Sequence, residues 1–143
     1  MKYRPAFLGI LVAAFLLFMG VQKFGAANPV FAYIAATSGI ELFEPVIRLA
    51  VGVSEITAAA LILLATFTGR LRGLGALISA GVTGGALVFH LSPWLGINAP
   101  VAFAPGGGYA FSPMLFMMAL PFFALSLVLV WLDRDALLKM VGR

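Results

Sequence analysis

Four apolar runs dominate this chain, and each is long enough to cross a lipid bilayer. They extend from about Pro5 to Val21, Pro45 to Phe67, Gly73 to Leu91 and Pro113 to Leu132. Such runs match roughly 30 Å of hydrocarbon at about 1.5 Å of helical rise per residue. In lipid they must be helices, because no water is present to satisfy an open backbone. Pro5, Pro45 and Pro113 stand where a first helical turn has no use for the missing N–H. Ser112 is placed to cap the fourth helix. Composition agrees: 63% of the 143 residues are hydrophobic and 10% are charged, against about 25% charged in a soluble domain. The expected fold is an all-α membrane protein, a single integral domain over 1–143 built as a four-transmembrane-helix bundle. No length is left for a second soluble domain.

Lysine and arginine give the orientation. Lys2 and Arg4 precede the first run, Arg70 and Arg72 separate the second from the third, and Arg134, Lys139 and Arg143 follow the fourth. The opposite side carries Lys23, and its 91–112 loop has no Asp, Glu, Lys or Arg. The positive-inside rule then puts both termini in the cytoplasm of a multi-pass protein of the cell's inner (plasma) membrane. Tyr3 and Trp131 fall at the inner interface, and Tyr33, Trp94 and Tyr109 at the outer one. The net charge of +4 is scattered over span ends, so it signals topology and no nucleic-acid partner is expected. Met1–Ala27 also has the basic start, apolar run and small-residue end of a secretory signal, whose removal would leave three spans. We take it as an uncleaved first span.

The two outer loops are elaborated. Asn28-Pro29 is a helix-start signal, and VFAYIAAT supports a short interfacial helix before Gly39. In the second loop, Gly106-Gly107-Gly108 supports a tight turn or hairpin. It lacks the Lys-Ser/Thr of a phosphate loop. Pro121 is expected to kink the fourth helix. Asp133–Arg143 reads as an amphipathic tail on the inner surface.

Polar residues gather in the outer half. Glu55 lies inside the second run, where a carboxylate is expensive and calls for a partner. Arg48 is two helical turns away on the same face, with Gly52 between them. Glu44 and Arg48 are spaced i,i+4 with the acid first, the favoured order. Lys23, at the end of the first run, is within reach of Glu55 or of Glu41. His90, the single histidine, closes the third run. Lys23, Glu44, Arg48, Glu55 and His90 therefore form a candidate outward-facing polar pocket. The same residues also serve as ion pairs that hold helices in register, since association in lipid lacks a hydrophobic drive. Gly81–Gly85 forms a GxxxG which, with neighbouring Gly84, is suited to packing inside the bundle or to a homo-oligomer. Met19, Met114, Met117 and Met118 with His90 raise copper, but no M-x-M array is present, and methionine is a routine gap-filler. No metal site is assigned.

Several stretches resemble the DoxX-like family of small four-span bacterial membrane proteins. GVQKF at 20–24 resembles its G-x-x-K-[LF], and GVSE at 52–55 its G-x-x-E. FTGR at 67–70 resembles its inner turn, with Gly69 as a one-residue departure. His90 stands where members often carry a histidine, and PGGGY at 105–109 resembles their outer glycine stretch. The resemblance implies a subunit or accessory of a membrane redox system, with a quinone, proton or small anion at the polar pocket. Its implied partner is a membrane or periplasmic oxidoreductase, beside the lipid bilayer itself. Relatives that use cysteine pairs offer no guide, because this chain has no cysteine. It also shows no recognisable flavin, haem or iron–sulfur motif, so no catalytic residue is assigned. The competing class is a non-catalytic lipid- or small-amphiphile-binding, membrane-anchor or assembly protein whose buried charges are structural.

The absence of native cysteine makes the topology testable. A single cysteine at Gly107 should react with an impermeant maleimide in intact cells, and one at Lys139 only after lysis. The reverse pattern would invert the orientation.

Overall fold

The computed structural model of the protein describes residues 4–68 and 71–142. Lys2, Tyr3, Arg70 and Arg143, used above for topology, and Gly69 of the FTGR stretch lie outside the described residues. The elements are α1 (Arg4–Val21), α2 (Pro29–Ser38), α3 (Val46–Thr68), α4 (Arg72–His90), β1 (Ala99–Phe103), β2 (Tyr109–Ser112), α5 (Met114–Leu132) and α6 (Arg134–Met140). Short 3₁₀ turns follow α1 at Gln22–Phe24 and α2 at Glu41–Phe43. Each of α1, α3, α4 and α5 begins and ends within a residue of the expected span, and all four are long and apolar enough to cross a membrane.

Local signals set the ends. Asn28 Oδ1 accepts from the Val30 amide at 3.1 Å and starts α2, and Gly39 ends it at φ 73°. Ser112 Oγ accepts from the Met114 amide at 3.2 Å at the head of α5. α5 runs unbroken through Pro121. β1 and β2 pair antiparallel, with Ala99 opposite Ser112 and Phe103 opposite Tyr109. Gly106, Gly107 and Gly108 turn this hairpin at φ 84–98°, a region that residues with a Cβ rarely adopt.

The long helices pack in the cyclic order α1, α3, α4, α5, and the α1–α5 seam is the least extensive. Lipid-facing positions are large and apolar: Phe7, Phe18, Phe67, Val88, Met117 and Trp131 are all exposed. The inner core is small and close-packed, with Val12, Ala13, Leu16, Ala58, Ala59, Ile62, Ala76 and Leu129 buried together. Ser79 and Ser126 meet at 2.7 Å between α4 and α5. Ser126 donates to the Phe122 carbonyl at 2.7 Å, so Ser79 is the donor between the two hydroxyls. Phe15 stacks flat on Phe122 with centroids 3.7 Å apart, closing the α1–α5 seam. At the end of the bundle where α4 begins, Arg72 holds Asp133 in a two-pronged pair (Nε–Oδ2 2.8 Å, Nη2–Oδ1 2.5 Å), and Leu137 of α6 covers Gly73.

Of the glycines expected to pack inside the bundle, Gly84 does so, whereas Gly81 and Gly85 do not. A Cβ on either residue meets nothing within 4 Å. Close approach is made at Gly84, whose Cβ would lie 3.0 Å from Phe123, and at Gly75, where a Cβ would lie 2.8 Å from both the Ala58 carbonyl and Ile62 Cγ1. Spacing alone could not say which glycine face meets α3 or α5.

This contrast predicts opposite outcomes for two alanine substitutions. Gly75→Ala should destabilise by about 1–3 kcal/mol, the usual scale of overpacking against backbone. Gly81→Ala should be neutral or stabilising by up to about 1 kcal/mol, from helix propensity alone. Thermal melts of both variants in detergent check this.

Candidate functional site

The centre of the site is an antiparallel crossing of two short motifs, Gly20-x-x-Lys23 and Gly52-x-x-Glu55. A Cβ on Gly20 would lie 3.2 Å from Glu55 Cβ, and one on Gly52 would lie 2.9 Å from Lys23 Cβ. Each glycine thus makes the space that the charged residue of the other helix occupies. The Lys23 ammonium donates to Glu55 Oε1 at 3.0 Å and to the Met19 carbonyl at 3.1 Å. It stands 2.8 Å from Glu55 Oε2, yet Oε2 is buried and accepts no hydrogen bond of adequate angle. Lys23 is 6% exposed and Glu55 5%. The lysine reaches inward instead of snorkelling outward, because the carboxylate offsets the cost of its burial.

Arg48 does not join this pair, although its spacing placed it on the Glu55 face. The room beside Gly52 is taken by Lys23 and Phe24. The Arg48 guanidinium binds Glu44 Oε1 through Nε at 2.7 Å. Its Nη1 donates to the Gly25 carbonyl at 2.8 Å and to the Lys23 carbonyl. These carbonyls belong to the 3₁₀ turn ending α1 and its exit, where helical partners run out and a cation is favoured. Arg48 is therefore a clamp on the end of α1, and Glu44 orients the clamp.

The position of that end creates a void. Lys23 lies level with Gly52, and six further residues of α3 rise above it, about 9 Å of helix. α1 does not fill this outer layer. α2 and the loop before β1 cover it instead, through a second core of Ile34, Phe43, Leu95 and Ala99. Beneath lies a cavity of about 470 Å³. Its size is that of a small-molecule site, which spans roughly 300–1,000 Å³.

The five expected site residues divide. Lys23, Glu55 and His90 line the cavity, whereas Glu44 and Arg48 do not. Thr83, Gln22 and Asn28 also line it. Asn28 carries the signal of a helix cap, so its sequence context pointed elsewhere. Met19, Met114 and Met118 share the wall with His90, while Met117 is exposed. Among the described residues no three His, Asp or Glu side chains gather as a metal-ligand set. Phe18, Gln22, Gly81, Gly85 and Met114 line the cavity and are also exposed, so it opens to the surface of the bundle.

His90 is buried at the end of α4. Its Nδ1 lies 2.9 Å from the Gly96 carbonyl, and its ring meets Phe116 edge-on at 5.7 Å. A carbonyl only accepts, so Nδ1 carries the proton and Nε2 of the neutral ring is an acceptor. Nε2 has no hydrogen-bond partner among the described residues. The site thus combines a neutralised ion pair, one acceptor nitrogen and an apolar, phenylalanine-rich wall.

Comparison of the chain with family models, curated proteins and solved structures returned no match.

The ion pair predicts strongly non-additive mutants. Lys23→Met alone should destabilise by about 3–5 kcal/mol, since it strands a buried carboxylate. The double variant Lys23→Met/Glu55→Met should recover most of that loss. Equal, additive losses in a detergent-melt cycle would show that the two residues do not act as a pair.

Proposed function

We propose that this protein holds a small amphiphile in the outer half of the plasma (inner) membrane, as a subunit or accessory of a membrane redox system. In this reading both termini are cytoplasmic and the cavity faces outward. The observation that carries it is the cavity, large enough for a head group and apolar apart from a few convergent polar side chains. A structural lock has no need of such a space. Ligand sites commonly take this form, with apolar walls for affinity and a few polar groups for orientation.

The redox assignment rests on the resemblance to the DoxX-like family, and the crossing of the two motifs adds weight to it. Gly20, Lys23, Gly52 and Glu55 are among the residues that carry the resemblance, and these four meet at one contact. A quinone, in its oxidised or its reduced quinol form, is the ligand this reading favours, held under α2 with its tail toward the lipid-facing side. A membrane or periplasmic oxidoreductase would be the partner. The chain supplies no thiol for redox chemistry, so the electron acceptor or donor would be the bound molecule.

One observation favours a second reading. Lys23 finds its partners inside the protein, and its pair with Glu55 joins α1 to α3. A non-catalytic anchor or assembly protein would use the pair in this way alone.

Native mass spectrometry of protein extracted from its membrane separates the two. Ligand binding predicts a retained, near-stoichiometric small molecule such as a quinone, lost in a cavity-filling Gly85→Phe variant that still folds. Retention of bulk phospholipid alone would overturn the proposal and leave the structural reading.

A further inference from the structure

The buried polar atoms facing the cavity are nearly all acceptors. His90 Nε2 is an acceptor because Nδ1 holds its proton against Gly96. Thr83 donates its hydroxyl hydrogen to the Ser79 carbonyl at 2.7 Å, leaving the oxygen's lone pairs. Glu55 Oε2 is buried against the Lys23 ammonium at 2.8 Å, so the carboxylate adds no donor to the wall. The one buried donor group, the Lys23 ammonium, is committed to Met19 and to Glu55. The remaining side-chain amides, on Gln22 and Asn28, belong to exposed or half-buried residues that water can reach.

Charge sharpens this further. Lys23, Glu55 and His90 are the titratable residues on the wall. The first two neutralise each other, so the cavity offers no uncompensated charge to an ionic head group. Phe15, Phe18, Phe31, Phe43 and Phe89 supply aromatic faces around it, which suit a flat ring.

We propose that the cavity selects neutral aromatic amphiphiles whose head group donates hydrogen bonds through hydroxyl groups, and discriminates against head groups that only accept. The physical reason is asymmetric. A hydroxyl satisfies His90 Nε2 or Thr83 Oγ1, whereas a carbonyl in the same place sets lone pair against lone pair and leaves both buried acceptors open. This inference rests on the ligand-binding reading above and adds the chemical character of the ligand.

A quinone and its quinol form the natural probe pair, since they share ring and tail and differ in accepting versus donating. A decyl-substituted benzoquinone and its quinol, kept anaerobic, are titrated calorimetrically into the full-length protein in nanodiscs, with empty nanodiscs subtracted. The quinol should bind about tenfold more tightly, the scale of one buried hydrogen bond gained. His90→Phe and, separately, the near-isosteric Thr83→Val should each narrow that preference, with folding checked by thermal melt. Quinone binding as tight as quinol binding would overturn the inference while leaving the ligand-binding reading in place. A quinol preference unchanged in both folded variants would overturn the assignment to these acceptors. Failure of both forms to bind would overturn the inference and the ligand-binding reading together. The wild-type comparison decides the preference even where a variant does not fold.

Discussion

The structure depends on one ion pair between Lys23 and Glu55, buried where the surroundings are lipid and protein. Neither charge is tolerable there alone. Together they fix how far α1 slides along α3, because a shift of one turn would part the ammonium from the carboxylate. Gly20 and Gly52 make this possible by letting the two backbones approach where the side chains must pass. The electrostatic requirement and the steric one are met by the same four residues.

Most of the outer architecture follows from that register. With Lys23 held level with Gly52, α1 stops below the outer end of α3. Arg48 then satisfies the carbonyls at the end of α1, and Glu44 satisfies Arg48. α2 and the loop before β1 close over the remaining space. Below, the stacked Phe15–Phe122 pair and the Ser79–Ser126 contact hold the seams. The cavity is thus a by-product of where one helix is obliged to end.

Much of this could be read from the chain, and the rest could not, for definite reasons. The four spans were legible to within a residue because hydrocarbon thickness fixes their length. α2 and the hairpin turn were legible because Asn28, Gly39 and Gly106–Gly108 act on their own backbone. The glycines of α4 were legible as packing residues, but not which of them packs, because a small residue reveals nothing about which side of a helix faces a neighbour. Of the expected set Gly84 makes a close contact, Gly81 and Gly85 make none among the described residues, and Gly75 makes the closest one. The polar set was legible as a list, but not as two groups. Arg48 and Glu55 share a face of α3, and only the arrival of Lys23 and Phe24 beside Gly52 decides that Arg48 turns away.

By itself the sequence determined that the chain has four spans, where each begins and ends, and that its spans carry their titratable residues toward one half. These are matters of length, hydropathy and local capping, which each segment settles alone. The tertiary structure decided which cation Glu55 meets, that Arg48 clamps a helix end, and that His90 and Thr83 share a cavity with the ion pair. Those outcomes turn on the relative height and rotation of helices distant in the chain. The energies that set them, desolvation of charge and contact across glycine, arise only once the helices have met.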